Sequence, residues 1–487
     1  MFARALAARS NHSVSGPQYV DPRFPVSSKA HGDVQPAGVF NPIAAHLTRF
    51  YGEEMMKRNP TRFHIWALAA LLLTLTAISA AQYTETMVVN FVGIGYGYDP
   101  AGLVRDPSGN LYTIVVSAAN TNCNKGSCGQ IIKLTPNAGG HYTETSIHTL
   151  TGGTGGYDPS DLLSDSHGNL YGSADYGGTV GQGCKKGCGL IFELKPLAAG
   201  GWSFTVLYSF ADSIDGETPF LTLMDSAGNL YGGTTCGTHG KGTIFKLSLS
   251  GGTWTKTTLY NFLGGTDGTY GEPLVLDASG NLYGLSTQGG NLTACPDGCG
   301  YIFELSPATT GSWTETVAYS FNGAPDGAMP EALVSDGAGN LWGVTYLGGS
   351  GANSTCHILD PIGCGTLFEL SPNSSGGWTE TVQHDFNYSL DGTFPVGLTI
   401  DGAGNLYTTL YEGGLGTHGT ILKFAFDSSD GLWEYTTLHS FANGKGGGGP
   451  IFTIVDPSGN VFGAVIFGGS KGLGGIYELS PPASERK

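Results

Sequence analysis

Charged side chains are scarce in this sequence, and positive ones are the scarcest. Only 13% of the 487 residues are charged, and 22 Lys and Arg stand against 39 Asp and Glu. An acidic surface repels phosphate backbones and anionic lipid head groups. The composition therefore excludes nucleic acid and acidic membranes as expected partners.

Helical periodicity is also missing. After residue 82 no long stretch spaces apolar residues 3.6 positions apart, which excludes a helical bundle. The chain instead has 80 Gly and 11% aromatic residues, within a hydrophobic content of 40% that can bury a core. Glycine supplies positive φ angles in tight turns and aromatic side chains fill pleated cores, so we predict an all-β protein of short strands.

Two chemical signatures are lacking as well. The sequence contains neither the H-E-x-x-H pattern of zinc proteases nor the G-x-x-x-x-G-K-[ST] loop that cradles phosphates. We therefore predict no catalytic residues, no metal site and no cofactor from motifs, with calcium as the one alternative considered below.

Residues 55–81 have the composition of an export signal. Three basic side chains precede an apolar run over residues 65–78, and small residues follow before Gln82. The run is shorter than the roughly 20 residues that span a bilayer. We interpret 55–81 as a signal peptide, with a signal anchor as the alternative.

This interpretation divides the chain into three parts. Residues 1–54 are a mis-called gene start or a short cytoplasmic tail, 55–81 are the signal, and 82–487 form a single folded domain. Without residues 1–81, 14 basic and 35 acidic side chains remain. We expect this part to be a monomer, secreted or located in the periplasm or at the cell surface of a bacterium, and not inserted in a membrane.

Eight of the nine cysteines form close pairs within Gly-rich segments. The pairs are Cys123/Cys128, Cys184/Cys188, Cys295/Cys299 and Cys356/Cys364. A zinc site requires four converging ligands, whereas these pairs lie in different repeats. We interpret them as four local disulfides of an oxidising compartment, with Cys236 unpaired.

One eight-residue phrase, such as "DSAGNLYG", recurs seven times. The copies begin at Asp106, Asp165, Asp225, Asp277, Asp336, Asp401 and Asp456. Repeats of this period are typical of propellers and long arrays. Asp at the first position and Gly at the fourth are preferred in type I turns, where the Asp side chain accepts hydrogen bonds from the turn's own amides. The alternative is a ring of carboxylates that holds a cation.

One full period corresponds to four strands. In the fourth period these are "PLVLD", "NLYGLST", "YIFELSP" and "WTETVAYSF"; the last alternates, with Val317 among the apolar positions and Glu315 as the one charge on that side. The domain begins with a fourth strand, "YTETMVVNF", and ends with three strands that lack one. Six complete sets and this split set predict a seven-bladed β-propeller with four antiparallel strands per blade, closed by the N-terminal strand, which completes the last blade.

The repeat unit resembles a known family. "LxxDxxGNLYG", followed by "GTIFKLSP" and "GGWTETxLYSF", is similar to the GloVer-type tandem repeat proteins of bacterial envelopes over residues 83–487. This resemblance implies export and repeat architecture, and no activity. The "P…D-x-x-G-N-L-Y" core is also similar to NHL-type propeller repeats, in which the strand before the turn lines the channel.

With that strand order, the connections from second to third and from fourth to first strand share one face of the propeller. Variable loops on a rigid frame usually carry binding. The candidates there are the Asp-Gly aspartates Asp215, Asp267, Asp326 and Asp391, the "GTHG" histidines His239 and His418, and the tyrosines Tyr270, Tyr346 and Tyr411. The aspartates are potential calcium ligands or ordinary turn residues. The histidines are potential ligands, acid/base groups or repeated loop residues, and exposed tyrosines could stack on sugars.

Three functional hypotheses follow. The first is an exported, non-catalytic propeller that acts as a binding scaffold for a glycan, a peptide or an envelope protein. The second is a propeller enzyme, a lyase or hydrolase acting on polysaccharides or esters. The third is a structural envelope component. His384, Asp385 and His439 lie in predicted outer strands, where we do not expect a deep active site.

Overall fold

The computed structural model describes residues 83–92, 100–116, 128–138, 141–180, 184–212, 214–269, 271–308, 311–350 and 363–483. Within these ranges 28 β-strands form seven four-stranded antiparallel sheets. Residues 1–54 and the interpreted signal 55–81 lie outside the described residues, as do Cys123, Cys356 and Tyr270.

The first three blades follow one another along the chain, and each is a meander of consecutive strands. Blade 1 consists of β2 (Pro100–Arg105), β3 (Leu111–Val115), β4 (Gln130–Pro136) and β5 (Tyr142–Thr149). Blade 2 consists of β6 (Tyr157–Ser164), β7 (Leu170–Tyr176), β8 (Leu190–Pro196) and β9 (Trp202–Ser209). Blade 3 consists of β10 (Pro219–Met224), β11 (Leu230–Thr234), β12 (Thr243–Ser250) and β13 (Thr253–Asn261).

The next three blades repeat the pattern. Blade 4 consists of β14 (Leu274–Leu276), β15 (Leu282–Ser286), β16 (Tyr301–Pro307) and β17 (Trp313–Ser320). Blade 5 consists of β18 (Ala328–Ser335), β19 (Leu341–Leu347), β20 (Thr366–Pro372) and β21 (Trp378–Asp385). Blade 6 consists of β22 (Thr393–Ile400), β23 (Leu406–Glu412), β24 (Thr420–Asp427) and β25 (Leu432–Ser440).

Blade 7 is assembled from both ends of the domain. Its strands are β26 (Gly448–Val455), β27 (Val461–Phe467), β28 (Gly475–Ser480) and β1 (Thr84–Asn90). The first strands of neighbouring blades contact one another in the cyclic order β26, β2, β6, β10, β14, β18, β22 and back to β26. The predicted seven-bladed propeller, closed by its N-terminal strand, is confirmed.

The closing strand is held by more than its ladder. Strand β1 pairs antiparallel with β28, with one bulge between Met87 and Val89. Just beyond it, the amide of Phe91 donates to the carbonyl of Gly474 at 3.1 Å, and the Phe91 side chain is fully buried. Burying a large aromatic side chain contributes several kcal/mol, so β1 is part of the hydrophobic core.

Blades pack against each other through recurring aromatic contacts. In five blades, the Phe that follows the outer strand meets an aromatic ring on the third strand of the next blade, usually edge to face. These pairs are Phe210–Phe245, Phe262–Phe303, Phe321–Phe368, Phe386–Phe424 and Phe441–Tyr477. Such pairs add to the stabilisation from burial alone, so the core of the molecule lies between blades.

The outer strands differ from the predicted alternation at one point. In β17 Trp313 and Glu315 face inward as predicted, but Val317 is 56% exposed. The register shifts between Ile302 and Phe303, so a β-bulge follows Val317 and turns it outward. A bulge at the same place occurs in every outer strand that the structure describes.

Ring closure predicts a large effect of a single core residue. Phe91→Ala should lower the free energy of unfolding by about 3–5 kcal/mol, because it opens a cavity where β1 seals the last blade. Phe426→Ala is the matched control, since Phe426 is exposed; it should change stability by no more than about 0.5 kcal/mol. Denaturant unfolding followed by tryptophan fluorescence measures both, and equal effects would contradict the role of β1.

Candidate functional site

Antiparallel strands divide the connections between two faces of the ring. The hairpins after first and third strands lie on one face, which we call the turn face. The connections from second to third strand, and from fourth strand to the next blade, lie on the opposite face, which we call the loop face.

On the turn face the repeated aspartates are occupied by their own turns. Asp225 accepts hydrogen bonds from the amides of Ala227 and Asn229 and from the Asn229 side chain, at 2.7–3.0 Å. Although burial alone raises the pKa of Asp225, these hydrogen bonds lower it overall. The other six copies form the same contacts. Turn capping thus accounts for these carboxylates.

The loop face carries the disulfides. Cys184–Cys188 and Cys295–Cys299 are bonded, each with 5.1 Å between the Cα atoms, which confirms two of the predicted pairs. Cys128 and Cys364 are buried, and their predicted partners lie outside the described residues. Cys236 is a half-buried free thiol, and burial raises its pKa, which lowers its reactivity.

The four Asp-Gly aspartates share one local geometry. Each accepts a hydrogen bond from the ring of the residue seven positions earlier, on the outer strand, and from the backbone amide four positions earlier. The ring contacts are Tyr208–Asp215 at 3.0 Å, Tyr260–Asp267 at 2.7 Å, Tyr319–Asp326 at 2.7 Å and His384–Asp391 at 3.0 Å. The amide donors belong to Ala211, Leu263, Asn322 and Asn387. These contacts fasten each loop to the strand that precedes it.

A side chain from the next blade completes each arrangement. It stands on the outer strand, two residues after the Trp near the start of that strand. We use the term joint for the contact between two neighbouring outer strands together with the loop that connects their blades. Each joint is numbered by its two blades, so joint 2–3 lies between blades 2 and 3. In joint 2–3 this side chain is Lys256, whose Nζ lies 2.7 Å from Asp215 Oδ1 and also donates to the Asp215 carbonyl oxygen.

Joint 3–4 has a carboxylate at that position. A short 3₁₀ turn, Gly265–Asp267, holds Asp267 beside Glu315, and Tyr301 donates to the Asp267 carbonyl oxygen at 2.7 Å. Burial, and secondarily the charge of Asp267, raise the pKa of Glu315 to about 7. The Glu315 Oε1 atom is buried and has no hydrogen-bond partner among the described residues.

A cavity of about 370 Å³ opens at this joint. Its lining is formed by Thr266, Asp267, Gly290, Asn291, Tyr301, Glu315, Val317 and Ser320. Nearly every polar atom that these side chains offer is an oxygen of a carboxylate, amide or hydroxyl group. The cavity therefore suits a ligand that donates hydrogen bonds or a cation that is coordinated by oxygen atoms.

Joints 4–5 and 5–6 are closed by their own side chains. Asp326 is buried and accepts from Tyr319 and from both the amide and the side chain of Asn322. Burial, and then the charge of Asp326, raise the pKa of Glu380 to about 7. In joint 5–6 the His384 ring lies between Asp391 and the Tyr435 ring, 4.6 Å from the latter.

The "GTHG" histidines do not meet. His239 is exposed on blade 3, whereas His418 lies on blade 6, which is not a neighbour of blade 3 in the ring. The His418 ring contacts Gly416 O at 3.1 Å and packs edge to face on Phe467. The outer-strand His439 lies 3.6 Å from Glu85 of the closing strand, and burial lowers the pKa of this histidine.

The described tyrosines do not form sugar platforms. Tyr346 and Tyr411 are each only 7% exposed, and Tyr346 stacks on Phe394 with 4.6 Å between ring centroids. Their rings are therefore committed to the protein interior, and Tyr270 lies outside the described residues.

Sequence reasoning missed a set of aliphatic side chains on the loop face. Half of the exposed large hydrophobic residues in the described ranges stand on these loops, namely Val92, Val180, Ile214, Leu263, Leu292, Leu390 and Leu415. Leu415 and Val180 are exposed by 74% and 70%. A signal was available for three of them, because Val92 and Leu263 directly follow the outer-strand Phe and Leu415 directly follows the "GG".

One motif match on this face lacks the context that its chemistry requires. Residues 468–472, "GGSKG", fit G-x-S-x-G, the pattern that carries the serine of many hydrolases on a strand-to-helix turn. Here they connect β27 to β28, and the amide of Ser470 donates to Asn90 at 2.8 Å. The match is part of a strand-to-strand loop. Among the described residues, none forms a helix with the length and apolar character needed to cross a bilayer.

Comparison with known families identifies the repeat. Residues 74–295 and 294–487 both match the Gloeobacter/Verrucomicrobia repeat. The chain belongs to this family. The match covers all seven blades and confirms the family suggested by the repeat unit, while a comparison with curated proteins found no match.

Several solved structures are similar to this chain at low identity. An extracellular domain of a one-component system from B. thetaiotaomicron is 15% identical with a TM-score of 0.48, covering 82% of this chain and 42% of that one. A gluconolactonase from Xanthomonas campestris is 13% identical with a TM-score of 0.34, covering 66% and 86%. A luciferin-regenerating enzyme is 12% identical with a TM-score of 0.38, covering 82% and 95%. At these scores the similarities carry no inference about activity.

The raised pKa values of Glu315 and Glu380 predict a pH-dependent stability. Both carboxyl groups have a pKa of about 7 in the folded protein, above their ordinary value of 4.5. The folded state therefore binds more protons than the unfolded state between these values, and stability falls as pH rises from about 4.5 to about 7. In the Glu315→Gln variant, the decrease in the free energy of unfolding between these pH values should be smaller by roughly 1–2 kcal/mol. This value already includes a reduction for solvent screening of the half-buried carboxyl group.

Thermal unfolding across this pH range, with a chelator present, measures the effect. Glu434→Gln is the control, because Glu434 is an exposed outer-strand glutamate of blade 6. Equal pH profiles for Glu315→Gln and the unmodified protein would refute the assignment.

Proposed function

We propose that this protein is an exported, non-catalytic propeller that binds an apolar protein or peptide segment on its loop face. The observation that carries the proposal is the concentration of exposed aliphatic side chains at the loop tips. Single exposed hydrophobic residues are ordinary, but a set gathered on one face is typical of interaction surfaces.

The loops bring these side chains together in pairs. The amide of Gly414 donates to the carbonyl of Tyr388 at 2.7 Å, which places the loop of Leu415 on the loop of Leu390. The amide of Gly290 likewise donates to Thr266 at 2.8 Å, beside Leu263 and Leu292. Each pair offers an aliphatic patch on a backbone that is already ordered, so binding costs little loop entropy.

Two further observations support export and the absence of catalysis. Disulfides persist in oxidising compartments, and two are formed in this propeller. The described histidines and aspartates of the joints are occupied in contacts between strands, as with His384 and Asp391. A side chain engaged in this way holds the scaffold and is poorly placed to transfer protons.

One observation favours the alternative of an enzyme. Asp267 and Glu315 form a carboxylate pair beside a cavity, and the pKa of Glu315 is raised to about 7. Two carboxyl groups with separated pKa values are the machinery of glycoside hydrolysis. Hydrolysis of aryl glycosides that is lost in Glu315→Gln and kept in Glu380→Gln would replace the binding proposal.

The binding proposal is tested with a random peptide display library and a glycan array. The protein should enrich peptides that contain apolar runs, and Leu390→Asp with Leu415→Asp should weaken their binding at least about tenfold, because a carboxylate then replaces an aliphatic contact. Surface plasmon resonance on the enriched peptides measures the change.

The control changes the opposite face. Leu249→Asp with Leu432→Asp places the same charges at exposed positions of the turn face and should leave binding unchanged. Enrichment of glycans in place of peptides, or equal losses in both double variants, would contradict the proposal.

A further inference from the structure

The joints contain an internal comparison, because the same geometry recurs with different side chains. In joint 2–3 the Lys256 ammonium lies between the carboxylate of Asp215 and the carbonyl oxygen of the same residue. The Lys256 side chain is only 5% exposed, and its Nζ atom lies 5.3 Å from the centroid of the Phe210 ring. This joint is therefore built around a cation that the chain itself supplies.

Joint 3–4 has the acceptors of that site without its cation. Glu315 occupies the strand position of Lys256, and Asp267 that of Asp215. Among the described residues, the carboxylate of Asp267 accepts hydrogen bonds from the Tyr260 hydroxyl group and the Leu263 amide. Two carboxylates thus line one cavity where one carboxylate and one ammonium are paired a blade earlier.

The neighbouring joints show why this one is distinct. Glu380 Oε1 in joint 4–5 is likewise buried without a hydrogen-bond partner among the described residues, but there the Asn322 side chain donates to Asp326. The residue equivalent to Asn322 in joint 3–4 is Leu263, which points to solvent and donates nothing from its side chain. The cavity of about 370 Å³ lies at joint 3–4, where the additional donor is missing.

The lining of this cavity suits a hard cation. The carboxylates of Asp267 and Glu315 and the hydroxyl groups of Thr266 and Ser320 offer oxygen atoms, and the opening admits water. Calcium takes six to eight oxygen ligands in flexible geometry, including carboxylates, amides and water. The aliphatic part of the Lys241 side chain lies beside Gly264, which belongs to the same loop as Asp267. In the described structure no ion pair joins Lys241 to the carboxylate of Asp267 or of Glu315.

We propose that joint 3–4 binds a divalent cation, calcium by its ligand chemistry, between Asp267 and Glu315, in the position that the Lys256 ammonium occupies in joint 2–3. The buried Glu315 Oε1 atom, which has no hydrogen-bond partner among the described residues, is the oxygen that the cation engages. The ion links the outer strand of blade 4 to the loop that leaves blade 3, as Lys256 links blade 3 to the loop that leaves blade 2.

The test uses the full-length chain at about pH 8, above the pKa of Glu315, where the carboxylate is ionised. Calcium chloride should raise the midpoint of thermal unfolding relative to a chelator, and Tb³⁺ should give sensitised luminescence through the nearby Tyr260 and Tyr301. At about pH 5 the calcium effect should shrink, because protons then compete for Glu315.

Three variants locate the site. Glu315→Lys supplies the ammonium of joint 2–3, so the calcium response should disappear while the unfolding midpoint in chelator stays equal or rises. Glu380→Lys makes the same change one blade later and should retain the response. Glu434→Gln alters the exposed acidic group Asp427, Asp430 and Glu434 on the turn face and should also retain it.

Several outcomes would overturn the proposal. One such outcome is that calcium does not shift the unfolding midpoint and Tb³⁺ gives no luminescence at about pH 8. Joint 3–4 would then bind no cation, and Glu315 would be neutralised by protons alone, at lower pH. A response that survives in Glu315→Lys, or one that is lost in Glu434→Gln, would place the cation elsewhere. Failure here leaves the loop-face binding proposal untouched, because peptide binding is measured on other residues.

Discussion

The pairing of β1 with β28 is the interaction on which the rest of this structure depends. A linear array of four-stranded sheets has two exposed ends, and each end offers unpaired strands and an uncovered apolar face. Here the first strand of the domain occupies the open edge of the last blade, and Phe91 fills its core. Closure fixes the number of blades, and through it the positions of all the loops and joints.

Within the closed ring the two faces obey different constraints. Every blade needs the same hairpin after its inner strand, so the aspartate that caps this turn is repeated with little change, as at Asp225. The joints on the other face share a backbone geometry but vary in chemistry, from Lys256 with Asp215 to Glu315 with Asp267. Such variation on a constant frame gives each joint its own charge, and makes the loop face the place where function differs between blades.

Sequence reasoning succeeded where interactions are local. The turn chemistry of the repeated aspartates, the four strands per period and two of the disulfides depend on residues a few positions apart. The proximity of Glu315 and Asp267 could not be predicted from the sequence in the same way. It brings together residues from two neighbouring blades and depends on the twist between those blades. The bulge that exposes Val317 and the burial of Tyr346 are likewise results of tertiary packing that override alternation and residue type.

Native-state hydrogen exchange of the β1 amides tests the closure of the ring most directly. The account predicts that the peptide covering 84–90 exchanges through the same global opening as the peptide covering 475–480, because both strands belong to blade 7 and neither can leave without that blade losing its core. Exchange of β1 at a much lower opening free energy, with β26, β27 and β28 still protected, would show that the ring closes without its first strand and would contradict the account.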